Sequence, residues 1–172
     1  HFEKMMYDNA LLLSVHTRAL QDGVGDSAMH KRVIRLTLKW LEAEMLDPNG
    51  GVWSTLDADS EDESGNSEEG EFYLWTPEQI INAVGEENGN LACNRWTVTE
   101  AGNFEDSGRS VLALSVTEGL DYEKEENLRK LLLNARSKRK RPGTDDKVLT
   151  AWNGMLLFSC TKIRAESARR IA

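Results

Sequence analysis

The chain has only two cysteines, Cys93 and Cys160, too far apart to form a C-x-x-C pair. That scarcity excludes a disulfide framework, a cysteine zinc site and a thioredoxin-type redox motif. Both thiols are expected to act as small buried hydrophobes. No apolar run approaches the roughly 18 residues that span a bilayer, so no membrane partner is expected. A charged-then-apolar leader is also missing, which makes a cytoplasmic location the default expectation. Nor is there an excess of base: 21 Lys and Arg face 29 Asp and Glu, a net charge of −8. Such a chain repels a phosphate backbone, which argues against nucleic acid as a partner.

What the chain does have is helical periodicity. At 172 residues it is long enough for one domain with its own core. It begins at His1 inside a helical pattern and stops at Ala172 in another, so it is expected to be an internal piece of a longer protein. Phe2, Met5, Met6, Leu12, Leu13, Ala19 and Leu20 recur at three- and four-residue spacing and predict a first helix closing at Gly23 to Gly25. Asp26 or Ser27 caps a second, along which Val33, Ile34, Thr37, Trp40, Leu41 and Met45 share one side. The short Gly-containing connection predicts antiparallel packing of the two.

Val52 to Ala58 then changes to period two, and Phe72 to Trp75 again reads as a strand, which predicts a β-hairpin between helices. Residues 60–70 between them are acidic and are expected to form a solvated loop. Thr76-Pro77-Glu78-Gln79 is a strong helix start, combining an N-cap Thr, Pro at the first helical position and Gln three residues after the cap. A short helix around Asn90 to Trp96, a strand at Val111 to Val116 and a helix over Glu123 to Arg139 follow. A last helix is marked by Val148, Leu149, Trp152, Met155, Leu156 and Ile163.

Several side chains carry candidate chemistry. Asp57 and Asp59 are two apart on a predicted strand, which sets both on one face about 6.6 Å apart along it. Two readings stay open there: a carboxylate pair that binds a polyol or shares acid–base work, and two solvent-facing residues at a hairpin end. Asp57, Asp59, Glu61 and Glu68 mimic the spacing of a calcium loop, but Asp62 stands where that loop needs Gly and its flanks read as strands, so no metal is expected. Asp145 and Asp146 precede the last helix, where one is expected to cap it and the other to project into the cavity that the helix borders. Trp152 and Asn153 continue that segment as a sugar-stacking ring and an amide, or equally as core. His16 is expected to be packed and His30 exposed, whereas His1, near Tyr7 and Asp8, is a candidate acid or base. The basic run from Lys138 to Arg141 reads most economically as a helix C-terminus with favourable cations.

His1 to Asn9, Asp57-Ala58-Asp59-Ser60, Gly70-Glu71-Phe72-Tyr73-Leu74-Trp75-Thr76-Pro77, Gly102-Asn103-Phe104-Glu105 and Arg141 to Gly154 occur in an order and spacing that resembles the YyaL-like family. That family includes the spermatogenesis-associated, thioredoxin-domain-containing proteins. The resemblance implies a mainly α fold, a partial (α/α) toroid of antiparallel helix pairs with an inserted β-hairpin, similar to six-hairpin glycosidases and sugar epimerases. It also implies a thioredoxin-like domain elsewhere in the parent chain as a partner. By analogy with these folds, the parent binds, hydrolyses or epimerises a carbohydrate in the toroid mouth, with no cofactor. Asp57, Asp59, Asp145, Asp146 and His1 are the catalytic candidates, and Tyr7, Asp8, Tyr73, Trp152 and Asn153 the substrate-binding ones. The fragment alone is expected to be inactive and to expose an apolar patch. The competing class is a non-catalytic helical module that docks the thioredoxin-like domain or another protein.

Overall fold

The computed structural model describes residues 2–114 and 121–169. Along them run β1 (Lys4–Met5), α1 (Met6–Asp22), α2 (Ser27–Glu44), β2 (Thr55–Leu56), β3 (Asp59–Glu61), β4 (Ser67–Glu69), α3 (Pro77–Val84), α4 (Glu86–Trp96), α5 (Tyr122–Arg136), β5 (Thr144–Asp145) and α6 (Thr150–Arg169). The described residues are mainly α-helical, and their strands are short and antiparallel. It divides into two compact units, His1–Phe2 with Ala58–Pro142, and Glu3–Asp57 with Gly143–Ala172.

In the second of these units α1 packs against both α2 and α6. The α1–α2 connection is tight because Gly23 adopts φ 67° and its amide closes on Ala19 O, while the Asp26 carboxylate caps α2 by accepting from the Ala28 amide. Met6, Ala10, Leu13, Ile34, Leu41, Met45, Val52, Leu56 and Leu156 form the buried core. Burying each large side chain of this kind contributes roughly 1.5–3 kcal/mol. A three-stranded sheet in the order β1-β2-β5 flanks this core, with Met5 opposite Thr55 and Thr55 opposite Asp145. Asn153 ties α6 to it: the side-chain amide accepts from Val52 N at 2.8 Å and donates to Val52 O at 2.9 Å. Leu11, Leu12 and Val15 on α1 and Leu157 and Phe158 on α6 remain exposed.

The other unit packs α3 against α4 and α5 around Trp75, Ile80, Val84, Ala92, Trp96, Val98, Leu128 and Leu132. The capping box at Thr76 and Gln79 forms as read from sequence. Across the α4–α5 contact, Arg95 Nε and Nη2 both donate to Glu125 Oε2, at 3.0 and 2.5 Å, with both side chains buried. Residues 100–111 form a loop held by Asn103, whose side chain accepts from Val111 N and donates to Val111 O.

The hairpin differs from the sequence reading. Val52 makes only an isolated bridge to Leu46, and β2 pairs with β1 and β5 rather than with Phe72 to Trp75. The hairpin lies inside the acidic stretch, where β3 pairs with β4 and Asp62 closes the turn by accepting from the Ser64 and Asn66 amides. These bonds to the ionised form hold the Asp62 carboxyl below its ordinary value. Phe72 to Leu74 form a turn instead of a strand, under a canopy of arginines. Arg136 lies over the Phe72 and Tyr73 rings, and Arg139 lies over Trp75 while donating to the carbonyls of Glu71, Phe72 and Leu74. Within the basic run, Arg139 thus meets this unit's carbonyls, and Lys140 pairs with Glu61 on the surface. Val111 to Leu114 form no strand, and residues 115–116 of that expectation, like His1, lie outside the described residues.

Candidate functional site

Within the sheet unit the local geometry begins at β2. The Asp57 amide donates to Gly143 O at 2.8 Å, extending the β2–β5 ladder one pair beyond Leu56 and Thr144. Asp57 thereby stands opposite Gly143, and Asp145, two residues on, falls on the same face as its diagonal neighbour. Such diagonal positions in an antiparallel ladder are roughly 7–8 Å apart. The Asp57 carboxylate leans over Gly143, with Oδ2 3.7 Å from where a Cβ there would stand. A glycine at 143 leaves that space open.

Asp145 is held from two sides. Ser54 donates to its backbone carbonyl through both amide and hydroxyl, at 3.1 and 3.0 Å, across 91 residues of chain. Its carboxylate meets Lys147 Nζ at 2.7 Å and the Lys147 amide at 3.3 Å. The Lys147 hydrogen bond is the main cause of a carboxyl pKa below the ordinary value, with Ser54 adding to it. Asp145 is accordingly a carboxylate at neutral pH and suits the role of base or acceptor rather than acid.

The sign of that shift gives a test. A lowered folded-state pKa adds stability above the ordinary carboxyl value of 3.8 and loses it as pH falls through the folded pKa. As pH falls below 3.8 the Ser54 and Asp57 amides should lose protection from hydrogen exchange faster in the native protein than in Asp145→Asn. Equal pH profiles would show that Lys147 does not hold the carboxylate.

The remaining candidates sort by what they touch. Tyr7, in the first turn of α1, meets Trp152 of α6 edge-to-face at 4.8 Å, and Trp152 also packs on the core. Asp8 is exposed. Asn153 is an anchor, because its Nδ2 also donates to Leu149 O in addition to the two bonds with Val52. Asp146 is exposed, and the reading of the Asp145–Asp146 pair as helix caps is corrected: Asp145 belongs to β5 and α6 starts only at Thr150. Asp59 pairs with Glu69 in β3–β4, and a bend at Ala58 breaks the strand that was to align it with Asp57. Tyr73 stacks beside Phe2 at 6.0 Å in the helical unit.

Sequence reasoning passed over Ser54, Gly143 and Lys147. The signal for Lys147 was present, a cation two residues after Asp145. Ser54 and Gly143 carry no local signal, since each matters only through cross-strand pairing. Among the described residues no group of three or more His, Cys, Asp or Glu is placed to hold a metal ion. No helix among them is long and apolar enough to cross a membrane.

Common ancestry emerges when this chain is set beside known proteins. It is homologous to one region of spermatogenesis-associated protein 20, the family to which its sequence motifs point. It is 32% identical to the human protein over 186 aligned residues, covering 91% of this chain and 23% of that one. The mouse and rat proteins are each 31% identical over the same 91% of the chain. The chain thus spans about 23% of the length of these relatives. No protein-family profile matches it.

Proposed function

We propose that the Asp57–Asp145 face of the β2–β5 ladder is a polyol-binding surface through which the longer protein engages a carbohydrate. The observation that carries this reading is the meeting of two sequence-distant acidic segments on one sheet face. Ser54 and Lys147 fix one of them, and Gly143 leaves the other room. Carboxylates are strong acceptors for sugar hydroxyls, and charge-assisted hydrogen bonds of this kind contribute about 1.5–3 kcal/mol each. In a hydrolase- or epimerase-like reaction on this surface, Asp145 serves as the ionised carboxylate. Tyr7, with Trp152 behind it, offers an aromatic edge beside the sheet. The (α/α) toroid arrangement and a cytoplasmic location belong to the same reading.

A sugar panel tested by thermal shift on the full-length protein checks it. A ligand at a hundredfold excess over Kd should stabilise the folded state by about 2.7 kcal/mol. Asp57→Asn and Asp145→Asn should each weaken binding about 10- to 100-fold, the equivalent of one charge-assisted hydrogen bond. A sugar that binds both variants as well as it binds the native protein refutes the assignment of this face. The exposed Leu11, Leu12 and Val15 on α1 favour a second reading, a module that docks a protein domain such as the thioredoxin-like one. No stabilisation by any sugar, together with retained binding to that domain, would select it.

A further inference from the structure

Two of the three histidines meet where α1 turns into α2. His16 Nδ1 lies 2.8 Å from His30 Nδ1, with ring centroids 5.0 Å apart, and His30 Nε2 lies 3.0 Å from Val24 O in the connecting turn. His30 is buried, 8% exposed, against the expectation of an exposed ring. Gly25 shapes the turn around it: φ is 70°, and a Cβ there would stand 3.1 Å from His30 Nε2.

The proton positions follow from chemistry. A carbonyl only accepts, so the proton on the Val24 contact belongs to His30 Nε2. A neutral ring protonated there presents a lone pair at Nδ1. The proton between the rings therefore belongs to His16 Nδ1. His16 Nε2 is left as the basic nitrogen of the pair, and a proton added there leaves both hydrogen bonds intact. A second proton, which would have to go on His30 Nδ1, sets two N–H groups and two cations against each other, and the contact breaks.

We propose that the His16–His30 contact is a proton-operated latch on the α1–α2 turn, closed while at most one ring is charged and released when both are. One helical turn before His30 stands Asp26, whose carboxylate is engaged in capping α2 at Ala28. On α1, Arg18 and Asp22 pair with each other at 2.7 Å on the exposed side. Helix α6, also packed on α1, meets it through Ser14 and Ser159. Burial, and then repulsion between the two rings when both are charged, lower the His16 pKa from the ordinary 6.5. A second charge is thus resisted while the turn is closed, so closure is favoured above pH 6.5 and opening grows as pH falls below it.

Nitrogen-15 NMR of the imidazoles, with hydrogen exchange across pH, tests the latch in the native chain. At neutral pH His16 should be the Nδ1–H tautomer and His30 the Nε2–H tautomer. Below pH 6.5 the opening constant for the amides of residues 24–34 should rise by up to about tenfold per pH unit, the slope of one proton. The α5 amides, corrected for intrinsic exchange, should not follow. His16→Asn keeps a donor near the Nδ1 position but no titrating charge, and should flatten that rise. An Nε2–H tautomer at His16, or first-turn α2 amides that track α5, would overturn the proposal, and either result is obtained without the variant.

Discussion

Replacing Glu125 alone by Leu should destabilise the protein by about 3–5 kcal/mol, the cost typical of leaving one member of a buried ion pair without its partner. Both side chains of the Arg95–Glu125 pair are 7% exposed, so the stranded guanidinium has little access to water. The double replacement Arg95→Met with Glu125→Leu should recover most of the loss, because a buried pair repays its desolvation only in part and an apolar pair of similar volume is often neutral. Chemical denaturation of the three variants, followed by the helix signal, measures both steps. A single variant as stable as the native chain would mean that water reaches Arg95 and the pair is not buried in solution.

The second large effect is expected at Gly102. Its φ of 72° is a left-handed conformation that costs an L-residue about 1–2 kcal/mol. Space is the graver problem: a Cβ there would stand 2.5 Å from Arg109 O and 2.6 Å from Arg109 N, backbone atoms that cannot swing aside. Overpacking adds about 1–3 kcal/mol. Gly108 in the same loop is the control, since it shares the left-handed φ, at 66°, but a Cβ would come no closer than 3.7 Å to Glu100 O. Gly102→Ala should therefore be clearly more destabilising than Gly108→Ala. Equal losses would show that conformation alone, not contact with Arg109, makes glycine necessary at 102.

The helices were legible because their signals are local. Thr76, Pro77 and Gln79 specify an N-terminus within four residues, and the box forms as written. Apolar spacing located α1, α2 and α6 to within a few residues, and acids at the front with bases at the back located α5. The predicted Val52 to Ala58 stretch does contain β2, but the strand bounds and partners were not legible, for two reasons. β1, β2 and β5 are two residues long and owe their existence to partners far away in the chain, so no alternation can accumulate. In β3, only Ser60 is buried, and it accepts from the Phe72 amide, so a polar side chain does what an apolar one usually signals. Conversely, Phe72-Tyr73-Leu74-Trp75 reads as a strand because apolar runs usually are, yet Phe72 and Tyr73 lie in a turn under Arg136, and only Trp75 makes a bridge, to Ser110.

The candidate face was half legible. Asp57 and Asp145 were chosen from sequence, and β-ladder register brings them to one side. Asp59 was chosen on a period-two argument that the bend at Ala58 cancels. His30 was misjudged because its burial depends on His16 and on a carbonyl of the turn, neither of which periodicity reports.

The bracket that Asn153 forms around Val52 bears on how the chain ages. Asn153 is followed by Gly154, and an asparagine before glycine is the sequence most prone to deamidate, because the bare glycine nitrogen can attack the side-chain amide and close a succinimide ring. Asparagine is among the residues that limit the lifetime of proteins at high temperature. Here the amide is held on both sides by a backbone residue and by Leu149 O, inside a helix that keeps the Gly154 nitrogen from its line of attack. The same contacts that fasten α6 to the sheet therefore shelter its most perishable side chain. Once the helix opens, the resulting aspartate would turn a carboxylate toward the Val52 carbonyl and keep the fastening from re-forming.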